Sequence, residues 1–142
     1  MRYWDSSALL PLLVEEATSA AVAEAYAQDP EVVAWWATQV ECTSALARLE
    51  REGHFGGSDL SAALARLAGL ATAWHEVQPV PAVRQTAIRL LRVHDLRAAD
   101  ALQLAAALTA AEAQPESLDF VTLDDQLVVA ADREGFTVVH PR

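Results

Sequence analysis

Four acidic residues stand where a parallel α/β sheet would expose the carboxyl ends of its strands. They are Asp5, Glu41, Asp100 and Asp124, and each ends a predicted strand or begins a predicted helix. Because the carboxyl ends of parallel strands share one edge, we expect these side chains to converge there. Like charges held close together repel unless a cation lies between them. Oxygen-only ligands suit Mg²⁺ or Mn²⁺, so the pattern predicts a site for one or two such ions.

A site of this kind could hydrolyse a phosphodiester bond. Two divalent ions about 3.5–4 Å apart can activate a water and stabilise the leaving oxygen. The residues expected to bind metal and take part in catalysis are Asp5 and Asp100 as primary ligands, Asp124 at the second position, and Glu41. Glu41 would either hold a metal-bound water or act as a base. The hydroxyls of Ser6 and Thr122 are expected to orient the carboxylates or bound water.

Helix capping is the competing explanation for each carboxylate taken alone. Asp5 could cap the helix that follows it, and residues Thr38 to Glu41 fit a capping box. A negative charge in the first turn of a helix, as at Asp100, is favoured by about 0.3–1 kcal/mol. Asp124 could also cap, although it is nearer to its strand end than Asp125. Capping does not explain why all four acids share one edge, so we favour the joint metal site.

The composition predicts a single domain over residues 1–142. The chain has 142 residues and is 53% hydrophobic, which suffices for one buried core. No secretory signal and no apolar stretch of membrane-spanning length is recognisable, so a cytoplasmic protein without a membrane partner is expected. The single cysteine, Cys42, excludes an internal disulfide and is interpreted as a packing residue.

The charge balance argues against nucleic-acid binding through bulk charge. The net charge is −10, and all 10 basic residues counted as lysine or arginine are arginine. A protein that coats RNA or DNA normally carries a basic face. If the chain handles a phosphodiester, a bound metal must offset the carboxylates, with help from a few arginines at the edge. The candidates are Arg48, Arg51, Arg92 and Arg97.

Other catalytic classes lack the residues that they need. The four histidines are scattered without the spacing of zinc ligands, and no glycine-rich phosphate-binding loop occurs. A phospho-receiver domain requires a lysine, which this chain does not contain. A phosphatase of the haloacid-dehalogenase type would have a second aspartate two residues after Asp5, where Ser7 stands instead.

Strand and helix patterns alternate along the chain. The predicted strands are Arg2 to Asp5, Glu31 to Trp36, Glu76 to Val80, Leu118 to Leu123, and Phe136 to Val139. The predicted helices are Ser6 to Val14, Thr18 to Gln28, Thr38 to Glu52, Ser58 (as the cap) to Trp74, Pro81 to Val93, Ala98 to Glu112, and Asp124 to Glu134. Strands separated by helices predict an α/β fold, a three-layer α/β/α sandwich with a five-stranded parallel sheet.

Four segments resemble the motifs of PIN-domain ribonucleases. Tyr3 to Leu9 resembles their opening motif, in which an aspartate precedes small hydroxyl residues and Ala-Leu. Val40-Glu41 with the later Ser44-Ala45-Leu46 resembles the second motif. Leu96 to Ala107 is very similar to the third motif, which is the most specific of the four. Phe120 to Asp124, followed by Leu127, Ala130-Ala131 and Gly135-Phe136, resembles the closing segment.

The resemblance is closest to VapC-type toxins of bacterial and archaeal toxin–antitoxin pairs. It implies a PIN-like fold with strand order 3-2-1-4-5 and a Mg²⁺- or Mn²⁺-dependent endoribonuclease acting on RNA. It further implies a homodimer that is inhibited by a small antitoxin protein. The acidic residues of the family carry over to Asp5, Glu41, Asp100 and Asp124. The alternatives are a PIN-fold protein-binding module with little or no nuclease activity, and a structure-specific or RNA-maturation nuclease.

Two further features depart from the family pattern or extend beyond it. Trp35-Trp36 could stack on an unpaired base, but core or partner-facing bulk is the favoured interpretation. The predicted helices Thr18 to Gln28 and Ser58 to Trp74 carry apolar residues beyond a single stripe. Their exposed remainder could form a groove for the antitoxin or for a second copy.

Overall fold

One parallel sheet runs through the computed structural model, which describes residues Met1 to Arg142. Its strands are β1 (Arg2–Trp4), β2 (Val32–Trp35), β3 (His75–Val77), β4 (Asp119–Val121) and β5 (Val138–Val139). All neighbouring strands pair in parallel, in the order β3-β2-β1-β4-β5. The predicted strand order is therefore confirmed. Because β1 is central, its carboxyl end lies between those of β2 and β4.

Seven α-helices cover the two faces of this sheet. They are α1 (Ser6–Leu13), α2 (Ser19–Gln28), α3 (Thr38–Arg51), α4 (Gly57–Ala73), α5 (Pro81–Val93), α6 (Ala98–Ala110) and α7 (Asp125–Arg133). A single 3-10 turn, Pro115–Ser117, precedes β4. The predicted three-layer α/β/α sandwich is confirmed. None of the helices is both long enough and apolar enough to span a lipid bilayer.

Two hydrophobic cores lie on opposite faces of the sheet. Because side chains alternate along a strand, Tyr3 of β1 faces α5, α6 and α7, whereas Trp4 faces α1 to α4. Phe120 of β4 stacks on Tyr3 with ring centroids 5.1 Å apart. Both aromatic side chains of β1 are completely buried. This packing anchors β1 from both sides and holds the residues that follow it at a defined position.

Several predicted boundaries differ from the observed ones. Gly56 occupies the N-cap position of the fourth helix and no side chain caps it, so the prediction that Ser58 caps it is wrong, and Ser58 lies in the first turn. The helix predicted to reach Glu112 ends at Ala110, since Glu112 and Ala113 adopt left-handed φ angles of 52° and 60°. The strands are shorter than predicted, with two to four residues each.

Candidate functional site

Asp5 directly follows β1, and only 3% of its surface is exposed to solvent. Its Oδ2 atom accepts hydrogen bonds from the hydroxyl of Ser7 and, at 2.7 Å, from the hydroxyl of Thr122. Its Oδ1 atom has only a long contact of 3.4 Å with the hydroxyl of Ser6. Asp5 occupies the N-cap position of α1, yet its side chain makes no capping hydrogen bond. One carboxylate oxygen is therefore held firmly while the other is left nearly free.

The hydroxyls of Ser7 and Thr122 connect the ends of β1 and β4. Ser7 Oγ accepts a hydrogen bond from the backbone N–H of Leu123, and Thr122 Oγ1 accepts one from the N–H of Asp124, each at 3.0 Å. The predicted orienting role therefore has geometric support for Thr122 and little for Ser6. Sequence reasoning passed over Ser7, although its place two residues after Asp5 was a usable signal.

Glu41 lies in the first turn of α3 and does not form the capping box that its sequence permits. The N-cap of α3 is Ala37, and no side chain caps the helix. The Glu41 carboxylate instead accepts hydrogen bonds from Gln103 Nε2, at 3.0 Å to Oε1 and 3.1 Å to Oε2. Gln103 belongs to α6, so this contact joins layers on opposite faces of the sheet. Sequence reasoning also missed Gln103, whose position one helical turn after Asp100 could have indicated it.

Asp100 and Asp124 complete the predicted set. Asp100 is a partly exposed residue in the first turn of α6. Asp124 precedes α7, and its Oδ1 atom accepts a hydrogen bond of 3.0 Å from the N–H of Leu127, so here the capping explanation is correct. The neighbouring Asp125 is exposed and lies 3.4 Å from the Arg142 guanidinium. Asp124 is thus the acid nearer to the strand end, as the sequence predicts.

Electrostatic effects connect the four acids with one another. Burial raises the pKa of Asp5, and the charge of Asp124 adds to the rise. Burial raises the pKa of Glu41 to about 7, with further contributions from Asp5 and Asp100. Burial and the charge of Asp124 also raise the pKa of Asp100, while Arg97 lowers it. The structure therefore brings the acids close enough to repel one another, with little positive charge among them.

The donor atoms fit a hard divalent cation, but they are not assembled into a finished metal site. All of the acidic groups offer oxygen, the ligand type of Mg²⁺ and Mn²⁺. No group of three or more His, Cys, Asp or Glu side chains is arranged so that it could hold a metal ion. Asp124 uses one carboxylate oxygen to cap α7, whereas both oxygens of Glu41 accept hydrogen bonds from the single Nε2 group of Gln103.

The arginines expected at this edge contribute unequally. Arg97 is the N-cap residue of α6 and acts on Asp100. Arg48 and Arg51 lie in the last turn of α3, at the end of the helix opposite to Glu41. Arg92 lies in the last turn of α5. Along the helix axis the backbones of Arg48 and Arg51 lie about 10 Å and 15 Å from Glu41, so their assistance at the acidic edge stays a prediction.

The two adjacent tryptophans have different surroundings. Trp35 is 5% exposed and belongs to the core on the α5–α7 face, which agrees with the favoured interpretation. Trp36 is 51% exposed. With Val40 and the outer face of α3, it lines a groove of about 640 Å³. Cys42 is buried, and burial raises the pKa of its thiol to about 12, so it packs as a neutral side chain.

Comparison with known proteins identifies the fold. No family model and no curated protein matches the chain. Among solved structures, VapC20 of Mycobacterium tuberculosis, described as a sarcin-ricin loop cleaving toxin, is 20% identical with a TM-score of 0.69, and the match covers 99% of this chain and 100% of that one.

Two further structures have the same fold. FitAcB of Neisseria gonorrhoeae is 19% identical with a TM-score of 0.69, and the match covers 99% of this chain and 98% of that one. A toxin–antitoxin complex from Klebsiella pneumoniae is 15% identical with a TM-score of 0.68, covering 100% and 98% of the two chains. The resemblance to VapC-type PIN proteins is thus confirmed at the level of the fold.

Proposed function

We propose that this chain is a Mg²⁺- or Mn²⁺-dependent endoribonuclease and the toxin of a type II toxin–antitoxin pair. The observation that carries the proposal is the cluster of Asp5, Glu41 and Asp100, in which burial raises all three pKa values. Buried, neighbouring carboxylates destabilise a fold that gains nothing from them, because desolvation and mutual repulsion both oppose their ionisation. A bound cation would relieve both effects.

The residues that would hold the metal are Asp5 and Asp100, with Asp124 and Glu41 at the second position. When bound, a divalent ion of this type stabilises negative charge on a phosphodiester and lowers the pKa of an attacking water. Thr122 and Ser7 orient the Asp5 carboxylate and leave its Oδ1 atom available. Glu41 would either hold a water or accept its proton, a role for which a pKa near neutrality is suitable.

An RNA substrate is supported by structural similarity, and the negative charge of the chain means that binding RNA requires a metal ion. VapC20 is described as cleaving the sarcin-ricin loop, and it shares the fold over its full length. With a net charge of −10, this chain needs a cation at the scissile phosphate to overcome repulsion. The metal would therefore serve substrate binding as well as chemistry.

A small antitoxin is the proposed protein partner. The similar structure from Klebsiella pneumoniae is described as a toxin–antitoxin complex. Supporting this, an apolar groove of about 370 Å³ lies where α1, α2 and α4 meet. Its lining residues are Leu12, Tyr26, Arg66, Gly69, Leu70 and Ala73. A groove of this kind suits an amphipathic helix.

A homodimer is also proposed, because α5 and the residue before it expose several apolar side chains to solvent. They are Val80, Ile88, Leu91 and Val93, each at least 41% exposed. Their burial against a second copy would remove an apolar surface that is unfavourable in water. Light scattering of the purified protein measures the mass directly, and a monomer at micromolar concentration would contradict this part of the proposal.

The second candidate is a PIN-fold module that binds a partner and cleaves little. The absence of a finished set of three metal ligands and the use of Asp124 as a helix cap both favour it. In that case the acidic cluster would receive a basic side chain of the partner instead of a metal. Tight metal binding by the isolated protein would count against this alternative.

The test compares RNA cleavage by the wild type with that by Asp5→Asn and Asp100→Asn, with and without Mn²⁺. Asp125→Asn is the matched control, since it removes the same charge from an exposed neighbour of the cluster. We expect cleavage by the wild type and the control only with Mn²⁺, and a loss of at least a hundredfold in the two cluster variants. Equal cleavage by all four proteins would point to a contaminant and remove the enzyme assignment.

A further inference from the structure

Gln103 is a polar side chain in an otherwise apolar stretch of α6. Only 1% of the surface of Gln103 is exposed, and the neighbouring Ala101, Leu104 and Ala105 are completely buried. An amide buried in this way is destabilising unless its donors and acceptor find partners. Gln103 finds them in three residues, Tyr3, Thr38 and Glu41. Two of the three, like Gln103 itself, lie outside the set of acids that the sequence indicates.

Tyr3 and Glu41 together fix which end of the Gln103 amide faces the acidic cluster. The Tyr3 hydroxyl donates a hydrogen bond of 2.5 Å to Gln103 Oε1. The Nε2 group therefore points the other way, 3.1 Å from the Thr38 hydroxyl and 3.0–3.1 Å from both oxygens of Glu41. The reversed amide would set Oε1 against the carboxylate, where two acceptors repel.

The Tyr3 hydroxyl is well placed to support this orientation. Its ring is completely buried and stacked on Phe120, so the hydroxyl cannot swing away. The result is a relay in which a core aromatic residue aligns an amide, and the amide aligns a carboxylate.

We propose that Gln103, aligned by Tyr3, is a positioning residue that holds the Glu41 carboxylate in place for a divalent metal and its water. The inference rests on the proposed function of the acidic cluster. Both Glu41 oxygens share one donor, so each retains free lone pairs on the side away from Gln103. A carboxylate held in this way is already oriented when the cation arrives, and outer hydrogen bonds of this kind commonly tune metal affinity.

The first measurement is Mn²⁺ affinity by isothermal titration calorimetry, on Gln103→Met, Tyr3→Phe and the double variant. Gln28→Met is the matched control, because it makes the same change at an exposed glutamine that ends α2, away from the relay. We expect the Kd for Mn²⁺ to rise about tenfold in Gln103→Met and less in Tyr3→Phe, within the range for outer hydrogen-bond partners. If Tyr3 acts through Gln103, the double variant is no weaker than Gln103→Met alone.

Kinetics separate positioning from a general loss of structure. Because Gln103 is buried and cannot touch RNA, we expect kcat to fall in Tyr3→Phe and Gln103→Met while KM stays within twofold. Wild-type Mn²⁺ affinity and kcat in both variants would overturn the proposal. So would fully additive effects in the double variant, since they would mean that Tyr3 acts independently of Gln103.

A nuclear magnetic resonance measurement tests the relay without metal or RNA. The side-chain amide protons of Gln103, assigned by their loss in Gln103→Met, should exchange slowly in the wild type and in Gln28→Met. In Tyr3→Phe they should exchange at least tenfold faster. If the wild type neither binds Mn²⁺ nor cleaves RNA, the proposed function fails, and this measurement alone decides the relay. Exchange of the wild-type protons as fast as that of an exposed glutamine would overturn it.

Discussion

The Asp124 side chain has two effects on the structure, and different substitutions can separate them. Its carboxylate caps α7 through the N–H of Leu127, and its charge raises the pKa of both Asp5 and Asp100. Capping needs only a hydrogen-bond acceptor, whereas the effect on the two pKa values needs a negative charge. Asparagine keeps the acceptor and loses the charge, while alanine loses both.

We predict that Asp124→Asn keeps the stability of the wild type but weakens Mn²⁺ binding. Asparagine caps helices about as well as aspartate, and replacement of a cap by alanine costs about 1 kcal/mol. Asp124→Ala should therefore lose about 1 kcal/mol of unfolding free energy in urea, with a similar loss of metal affinity. If Asp124→Asn binds Mn²⁺ as tightly as the wild type, Asp124 serves only as a cap.

Glu41 should make the metal-free protein less stable as the pH rises. Its pKa of about 7 in the folded protein lies above the ordinary value of 4.5. The stability linked to the protonated side chain is therefore fully present below pH 4.5 and is lost as the pH rises through 7. We predict that Glu41→Gln stabilises the metal-free protein at pH 8, by on the order of 1 kcal/mol after allowance for solvent screening.

Urea unfolding at pH 5 and pH 8, in the presence of a chelator, measures this effect. Glu50→Gln is the control, because it makes the same chemical change at the other end of α3. The gain from Glu41→Gln should be smaller at pH 5, where the glutamate is mostly protonated. A gain that is equal at both pH values, or equal in the control, would show that desolvation of the charge is not its cause.

Single residues were predictable from the sequence where they follow strands. Asp5 and Asp124 could be located because strand ends and helix starts leave strong patterns. Gln103 and Ser7 have only their spacing from Asp100 and Asp5 as a local signal, and their partners, such as Tyr3 and Leu123, lie far away in the chain. Hydrogen bonds across 100 and 116 positions have no local signal in one sequence.

At the scale of elements, the sequence predicted the order of strands and helices but not every boundary. Alternation of apolar strands with helical periodicity was sufficient for the parallel sheet. The helix start at Gly57 was missed because no side chain caps this helix, and Ser58 offered a stronger but false signal. The end of α6 was missed because Glu112 and Ala113 take left-handed conformations that residues with a Cβ rarely adopt.

Two glycines that follow helices allow a test of how helix ends contribute to stability. Gly53 and Gly135 have positive φ angles of 79° and 101°, which residues with a Cβ adopt at a cost of about 1–2 kcal/mol. A Cβ at Gly135 would lie 3.0 Å from Pro115 Cγ, whereas one at Gly53 would meet nothing within 4 Å. The two sites therefore share the backbone strain and differ in the steric contact.

We predict that Gly53→Ala loses about 1 kcal/mol of unfolding free energy and Gly135→Ala clearly more, about 2–3 kcal/mol. The additional loss arises because the 3-10 turn that contains Pro115 must move away from α7. Urea denaturation of the two variants beside the wild type measures both values. Equal losses would mean that the turn yields freely and that only backbone strain matters.

At the scale of the whole molecule, negative charge is the dominant long-range property. The net charge of −10 opposes compaction and repels RNA, and the acidic cluster concentrates part of that charge beside the central strand. Two cores, one on each face of the sheet, hold the cluster together against this repulsion. A cation that binds the folded state alone would therefore raise the stability of the entire domain.

We predict that Mn²⁺ raises the Tm at pH 8 and has much less effect at pH 5. Binding only to the folded state contributes about 2.7 kcal/mol at one hundred times the Kd, which corresponds to roughly 5–10 °C here. At pH 5 protons compete for the site, because the pKa values of Asp5, Glu41 and Asp100 are raised. Differential scanning fluorimetry at both pH values measures the shift, and Asp125→Asn should retain it while Asp5→Asn loses it. An equal shift in Asp5→Asn, or at pH 5, would mean that the ion binds the acidic surface at large and not this cluster.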